Sequence, residues 1–169
     1  NPLISSGAIP YPANSVFNAA AARIGAETLL LMRVEDRRGI SHLTAARSLD
    51  GVTDWRIDPA PTLAPCPDMH PEELWGLEDA RITRMDELDL WAVVYTAYSR
   101  GGPLVAIATT NDFKSFDRMG AVMPPEDKDA ALFPVRFDGR WAMLHRPVPA
   151  FSGMGAHIWI SFSPDMKHW

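Results

Sequence analysis

The chain has 169 residues, enough for one domain with a sizeable core. Its formal net charge of −5 argues against a general nucleic-acid surface, and no run of 18 or more apolar residues is present to cross a membrane as a helix. The single cysteine, Cys66, excludes an internal disulfide and a cysteine-based metal site, and no secretory signal is visible, so a cytoplasmic protein without metal or organic cofactor is expected.

In chain order, the first apolar segments are "FNAA" 17–20 and "LLLMR" 29–33, parted by a turn at Gly25, followed by "SHLTAARS" 41–48. The last of these runs into a polar turn, "SLDGVTDW". A long segment, "DPAPTLAPCPDMHPEELWG" 58–76, carries five prolines and reads as a connection. The pattern then restarts: "EDAR" 78–81, the turn "MDELD" 85–89, "WAVVY" 91–95, "PLVAIATT" 103–110 and the turn "TNDFKSF". It restarts again: "KDAA" 128–131, "DG" 138–139, "WAMLH" 141–145, "AHIWISFS" 156–163 and "SPDMKHW". The segments are short, rich in branched and aromatic residues, and bounded by turn residues, as strands are. Apolar residues run in blocks of period two and the 15 prolines are scattered, which disfavours helices.

The three stretches are equivalent units. Asn18, Asp79 and Asp129 align at spacings of 61 and 50, and the following strands align at 62 and 50. In each unit Ser/Thr-x-Asp follows the third strand, with an aromatic four or five residues on. These aspartates read as structural turn caps, and the aromatic as the start of a fourth strand. Radial repetition of a four-stranded meander predicts an all-β propeller of about three four-stranded blades, over units 15–75, 76–126 and 127–169. A β-sandwich is the rival, but it does not predict three equivalent units.

In a propeller the start of each inner strand and the end of the next strand lie on one rim. That rim would gather Asn18, Glu78, Asp79, Lys128 and Asp129 with Arg33, Tyr95, His145 and Arg146. The loops "VEDRRGI" 34–40, "AYSRGG" 97–102 and "PVPAFSGMG" 147–155, and the proline-rich connection, would open on the same side. Polar groups converging on a concave mouth are the default binding site. One local feature resists this picture. Adjacent side chains on a strand point to opposite faces, so Glu78 and Asp79 should not serve one site unless the strand only begins there. Because three units do not close a ring and the chain opens with Asn, a piece of a longer protein is expected. A ring closed by a homo-oligomer is the alternative.

The segments "VFNAA", "RVEDRRGISHL", "ARSLDG", "WGLEDARIT", "DKDAALFP" and "HRP", running from Asn14 to Trp169, resemble glycoside hydrolase family 130. That family comprises β-mannoside phosphorylases and related β-mannosidases. The resemblance implies a five-bladed β-propeller and inverting cleavage of β-mannosides, with inorganic phosphate as co-substrate and α-mannose 1-phosphate as product. It puts the catalytic acid on Asp79, and mannose contacts on Asn18 and Arg33. It implies a basic phosphate pocket; Lys128, His145 and Arg146 fall in matching motifs, with Arg81 beside them. An aspartate that reaches the sugar from a later blade in the family has no counterpart in this chain.

The chemistry favours phosphorolysis. Inverting hydrolysis needs an acid and a second carboxylate about 6.5 to 9.5 Å away to activate water. Phosphorolysis needs the acid and cations that hold the phosphate, which these residues supply. β-Mannoside hydrolysis on the same scaffold and a non-catalytic carbohydrate-binding propeller are the competing functions. Glu78, Tyr95 and Asp36 are further candidate sugar contacts, with Arg37, Arg38 and His42 near the same edge. Each has a plainer reading. Asp79 and Arg81 could form a strand-edge ion pair, and Glu78 could orient Arg81. Lys128 could be a solvated edge residue, His145 a satisfied core histidine, Tyr95 a packing residue, and Asp129 a brace for its strand.

Overall fold

The computed structural model describes residues 3–148 and 156–169, and strands dominate it. The first sheet is a meander of β1 (Ser15–Ile24), β2 (Glu27–Glu35), β3 (Ser41–Ser48) and β4 (Arg56–Ile57). The second repeats it with β5 (Leu77–Met85), β6 (Leu90–Ser99), β7 (Gly102–Thr110) and β8 (Asp117–Ala121). The third has β9 (Asp127–Phe137), β10 (Arg140–Pro147) and β11 (Trp159–Ser163). Every pairing within a sheet is antiparallel. The expected fourth strand of the third unit is not formed among the described residues. The expected strand 156–163 starts only at Trp159, and most of the loop 147–155 lies outside the described residues.

Local chemistry sets the hairpins. At the β9–β10 turn, Asp138 (φ 48°) and Gly139 (φ 75°) both take left-handed backbone angles. A two-residue hairpin turn of matching twist needs this, and Asp-Gly tolerates it. Side-chain alternation then stacks the sheets. On β6, Val93 and Tyr95 point to the first sheet and join Leu29, Leu31, Leu43 and Ala45. Ala92 and Val94 point the other way, to Leu132, Trp141 and Met143 of the third. The first strands β1, β5 and β9 lie side by side, as the inner strands of adjacent blades do. Leu144 and Ile160 are cross-strand partners on the far face of the third sheet, and both are exposed. They are the repeat equivalents of Val94 and Ile107, which the third sheet buries, so this face has the character of a surface between blades.

At the rim opposite the candidate site, the three aspartate turns are alike. Asp50 Oδ1 accepts the Val52 and Thr53 amides, Asp112 Oδ1 those of Lys114 and Ser115, and Asp165 Oδ1 those of Lys167 and His168. In the second and third turns the residue after the aspartate goes deeper than the aromatic of the pattern: Phe113 and Met166 are buried, whereas Phe116 and Trp169 are only partly covered; in the first, Gly51 and Trp55 are both partly covered. The backbone bonds from Ser115 and Lys114 hold the Asp112 carboxyl down to about 2, from an ordinary 3.8. A carboxyl depressed in the folded state stabilises fully above its unfolded value and loses that contribution as pH falls toward the folded one. Melting temperature should therefore drop between about pH 4 and pH 2, and Asp112→Ala should flatten that acid limb while lowering the neutral-pH melting temperature. A limb unchanged in the variant would assign acid sensitivity elsewhere.

Candidate active site

The three equivalent residues share a backbone conformation that their sequence pattern does not announce. Asn18, Asp79 and Asp129 have φ of 46°, 49° and 57°. At each, the inner strand slips against its neighbour: between Phe17 and Ala20, between Glu78 and Arg81, and opposite Leu144 and Arg146. Asn and Asp are the side-chain-bearing residues that best tolerate left-handed angles, which explains their recurrence there. A bulge re-aims side chains. That resolves the conflict over Glu78 and Asp79, which reach one guanidinium although adjacent. Arg33 Nη2 binds Glu78 Oε1 at 2.8 Å, and Nη1 binds Asp79 Oδ1 at 3.1 Å.

Asp79 is held from two strands besides its own. Asn18 Nδ2, on β1, donates to Asp79 Oδ1 at 2.9 Å, alongside the Arg33 bond from β2. The Arg33 guanidinium also lies 4.4 Å from the Phe17 ring centroid, a cation–π contact. Asn18, Asp79, Arg81 and Asp129 line one cleft of about 670 Å³, floored by Ala19, Ala20 and Ala21, whose small side chains leave it open. Burial raises the Glu78 carboxyl above its usual range, and the Asp79 charge adds to this. Arg33 and Lys128 pull the other way.

The cations divide into groups. Arg81 lines the axial cleft and donates to the Ala80 carbonyl at 3.1 Å. No Asp79–Arg81 ion pair forms among the described residues; Arg33 is the partner of both acids. Lys128 and Arg146 line a neighbouring cleft of about 250 Å³. Arg146 is oriented by Asp129, whose Oδ2 accepts its Nε at 2.9 Å. His145 departs from the expected phosphate role. Its side chain is buried, with Nδ1 2.5 Å from Asp127 Oδ2 and Nε2 2.8 Å from Ser161 Oγ, so both ring nitrogens are occupied. Asp127 Oδ1 also accepts the Arg146 amide at 3.1 Å, so His145 acts on the rim by bracing the backbone under Arg146.

Two expected sugar contacts fall elsewhere. Tyr95 is buried between the first two sheets, and its hydroxyl donates to Glu73 Oε1 at 2.7 Å. Burial and the Glu73 charge push that hydroxyl up, so it stays a neutral donor and does not face the cleft. Its position at a strand end predicts the rim; alternation turns it into the core. Asp36 closes its own loop, accepting the Arg38 and Ile40 amides at 2.8 and 3.1 Å and pairing with the Arg38 guanidinium. With Arg38, His42 and Tyr11 it borders a separate cleft of about 550 Å³, where His42 shares a 3.0 Å bond with the Tyr11 hydroxyl.

A family sequence model described as beta-1,4-mannooligosaccharide phosphorylase, that of glycoside hydrolase family 130, matches residues 5–169. The chain belongs to glycoside hydrolase family 130. It is 35% identical over 128 residues to a beta-1,2-mannobiose phosphorylase of Listeria innocua, covering 76% of this chain and 34% of that protein. It is 33% identical over 165 residues to a 1,2-beta-oligomannan phosphorylase of Thermoanaerobacter sp., covering 92% of this chain and 51% of that protein. A solved structure of the Listeria innocua beta-1,2-mannobiose phosphorylase in complex with beta-1,2-mannobiose superposes with a TM-score of 0.87 at 26% identity, over 99% of this chain and 62% of that one. The chain thus spans about a third to a half of the length of these two curated relatives, and its three sheets are consecutive blades of the family's five-bladed propeller.

Sequence reasoning missed Ser41, Glu73, Gly76, Asp127 and Ser161. Glu73 is wholly buried in the proline-rich connection, where an acid reads as solvated. Asp127 hides in the charged run "EDKD". The repeat offers no signal for Asp127, whose equivalents Leu77 and Val16 are apolar; only its place before the Lys128–Asp129 pair at the head of an inner strand points to it.

Proposed function

We propose that the protein carrying this chain cleaves β-mannosides by inverting phosphorolysis, with Asp79 as the general acid. The observation that carries this reading is the convergence of Asn18 and Arg33 on Asp79, at the axial cleft that Asn18 and Asp79 line, in a chain of this family. Both donors fall on Asp79 Oδ1, so the transferable proton belongs on Oδ2. Inorganic phosphate attacks the anomeric carbon of the mannosyl unit and the glycosidic C–O bond breaks. The proton from Asp79 passes, through a sugar hydroxyl, to the leaving oxygen. The products are α-mannose 1-phosphate and the shortened acceptor. Asn18 and Arg33 hold the mannose and the acid in register, and Lys128, Arg146 and Arg81 are the cations available to the phosphate. The two curated relatives and the superposed solved structure are named as phosphorylases of β-mannosides, which supports the substrate class.

The test is phosphate dependence. Release of mannose 1-phosphate should require inorganic phosphate and saturate with it. Lys128→Ala should raise the KM for phosphate by about ten- to a hundredfold, the loss of one charge-assisted bond, with a smaller change for the mannoside. Free mannose released at the same rate without phosphate would replace phosphorolysis with hydrolysis.

A further inference from the structure

Besides the Phe17 ring, the Arg33 guanidinium has a third hydrogen-bond partner, away from both acids. Its Nε donates to Ser41 Oγ at 2.9 Å. Ser41 begins β3 and is 1% exposed, so its hydroxyl is shielded from bulk water. The backbone of Ser41 in turn meets Gly76 in an isolated parallel bridge between the first sheet and the residue preceding β5. Gly76 has φ of +119°, and a Cβ there would lie 2.5 Å from the Ser41 carbonyl oxygen and 2.7 Å from its nitrogen. No residue but glycine fits that approach. Two and three residues beyond Gly76 come Glu78 and Asp79.

We infer that Ser41 is a positioning residue for the reaction: it sets the plane of Arg33, and through Arg33 the orientation of Asp79, across the Gly76 contact that joins two blades at the rim. An arginine held by acids at its two Nη groups can still tilt about the Nη1–Nη2 line, carrying Nε with it, as its carboxylate partners move. The Ser41 bond removes that freedom by holding Nε. Because Ser41 and Gly76 pack backbone to backbone, the anchor of Arg33 and the strand carrying Asp79 shift as one body. The clamp keeps its geometry when substrate enters and water leaves, which is the condition for holding a catalytic group near productive alignment.

This inference rests on the phosphorylase reading for its kinetic consequence but not for its structural one, so the experiment reads both. In the full-length protein, hydrogen exchange of the Arg33 Nε–H is followed by NMR against the exposed Arg37 as reference. In the parent it should be protected by about tenfold or more, the effect of one bond to a charged group. Ser41→Ala should remove that protection and lower kcat about tenfold while leaving the KM for phosphate within about twofold. Arg33 exchanging as fast as Arg37 in the parent overturns the inference, whether or not the variant folds. So does a folded Ser41→Ala protein with unchanged exchange or unchanged kcat. If exchange responds as expected but the parent turns over no β-mannoside with phosphate, the positioning contact stands and the phosphorylase reading falls.

Discussion

Asp79→Asn should leave the full-length protein folded and able to bind β-mannosides while its turnover falls by about 10²- to 10⁴-fold, the usual worth of general acid catalysis. The substitution retains the shape of the side chain and an oxygen that can accept from Asn18 and Arg33, so the clamp survives. It removes the proton on the other oxygen. Loss of activity should therefore appear in kcat, with mannoside affinity measured by calorimetry changing little. A compact variant with near-parental turnover would remove Asp79 from the mechanism. Glu78→Gln is the informative control. Glu78 sits on the other arm of the same arginine, with burial raising its carboxyl, and a role confined to orienting Arg33 predicts a smaller loss than at Asp79.

The fold was legible because a propeller is written as a repeat. Three strand families at matched spacings, with an aspartate turn closing each unit, suffice to place β1, β5 and β9 together and the turns on the far rim. Asn18 and Asp79 were legible for the same reason, as equivalent polar residues heading inner strands. Their meeting with Arg33 was not fully so. Period-two alternation puts Glu78 and Asp79 on opposite faces, and only the bulge, a backbone event at a left-handed aspartate, brings both to one guanidinium. Tyr95 shows the opposite failure. Rim position was inferred from its place at a strand end, but alternation carries its ring inward, to a partner in a connection no local pattern marks. His145 likewise shares a strand end with Arg146, yet one side chain faces the core and the other the rim.

That hidden partner, Glu73, carries the second large expectation. Its carboxylate has no exposure, yet it accepts the Tyr95 hydroxyl at 2.7 Å, the Arg118 Nε at 3.2 Å and the Cys66 amide at 2.9 Å. Three donors from β6, β8 and the connection itself thus converge on one buried acid. Its backbone carbonyl accepts the Gly76 amide at 3.0 Å, so the turn that Glu73 pins is the turn that delivers β5 to the rim. Glu73→Ala leaves a buried hydroxyl, an amide and a guanidinium without their acceptor. Removing one partner of a buried ion pair costs about 3 to 5 kcal/mol. The low end of that range applies, because the Arg118 side chain keeps 18% exposure and a second bond to the Ala64 carbonyl. Tyr95→Phe removes one donor and leaves the other two bonds to Glu73 in place, so it should cost about 1 kcal/mol. Urea midpoints of the two variants and their double mutant would separate these terms. The double mutant should be less destabilised than the sum, because Glu73→Ala has already orphaned the hydroxyl that Tyr95→Phe deletes. Additive losses would mean that the two groups do not act through each other. A Glu73→Ala protein as stable as the parent would show that the connection is held by its prolines and not by its buried acid.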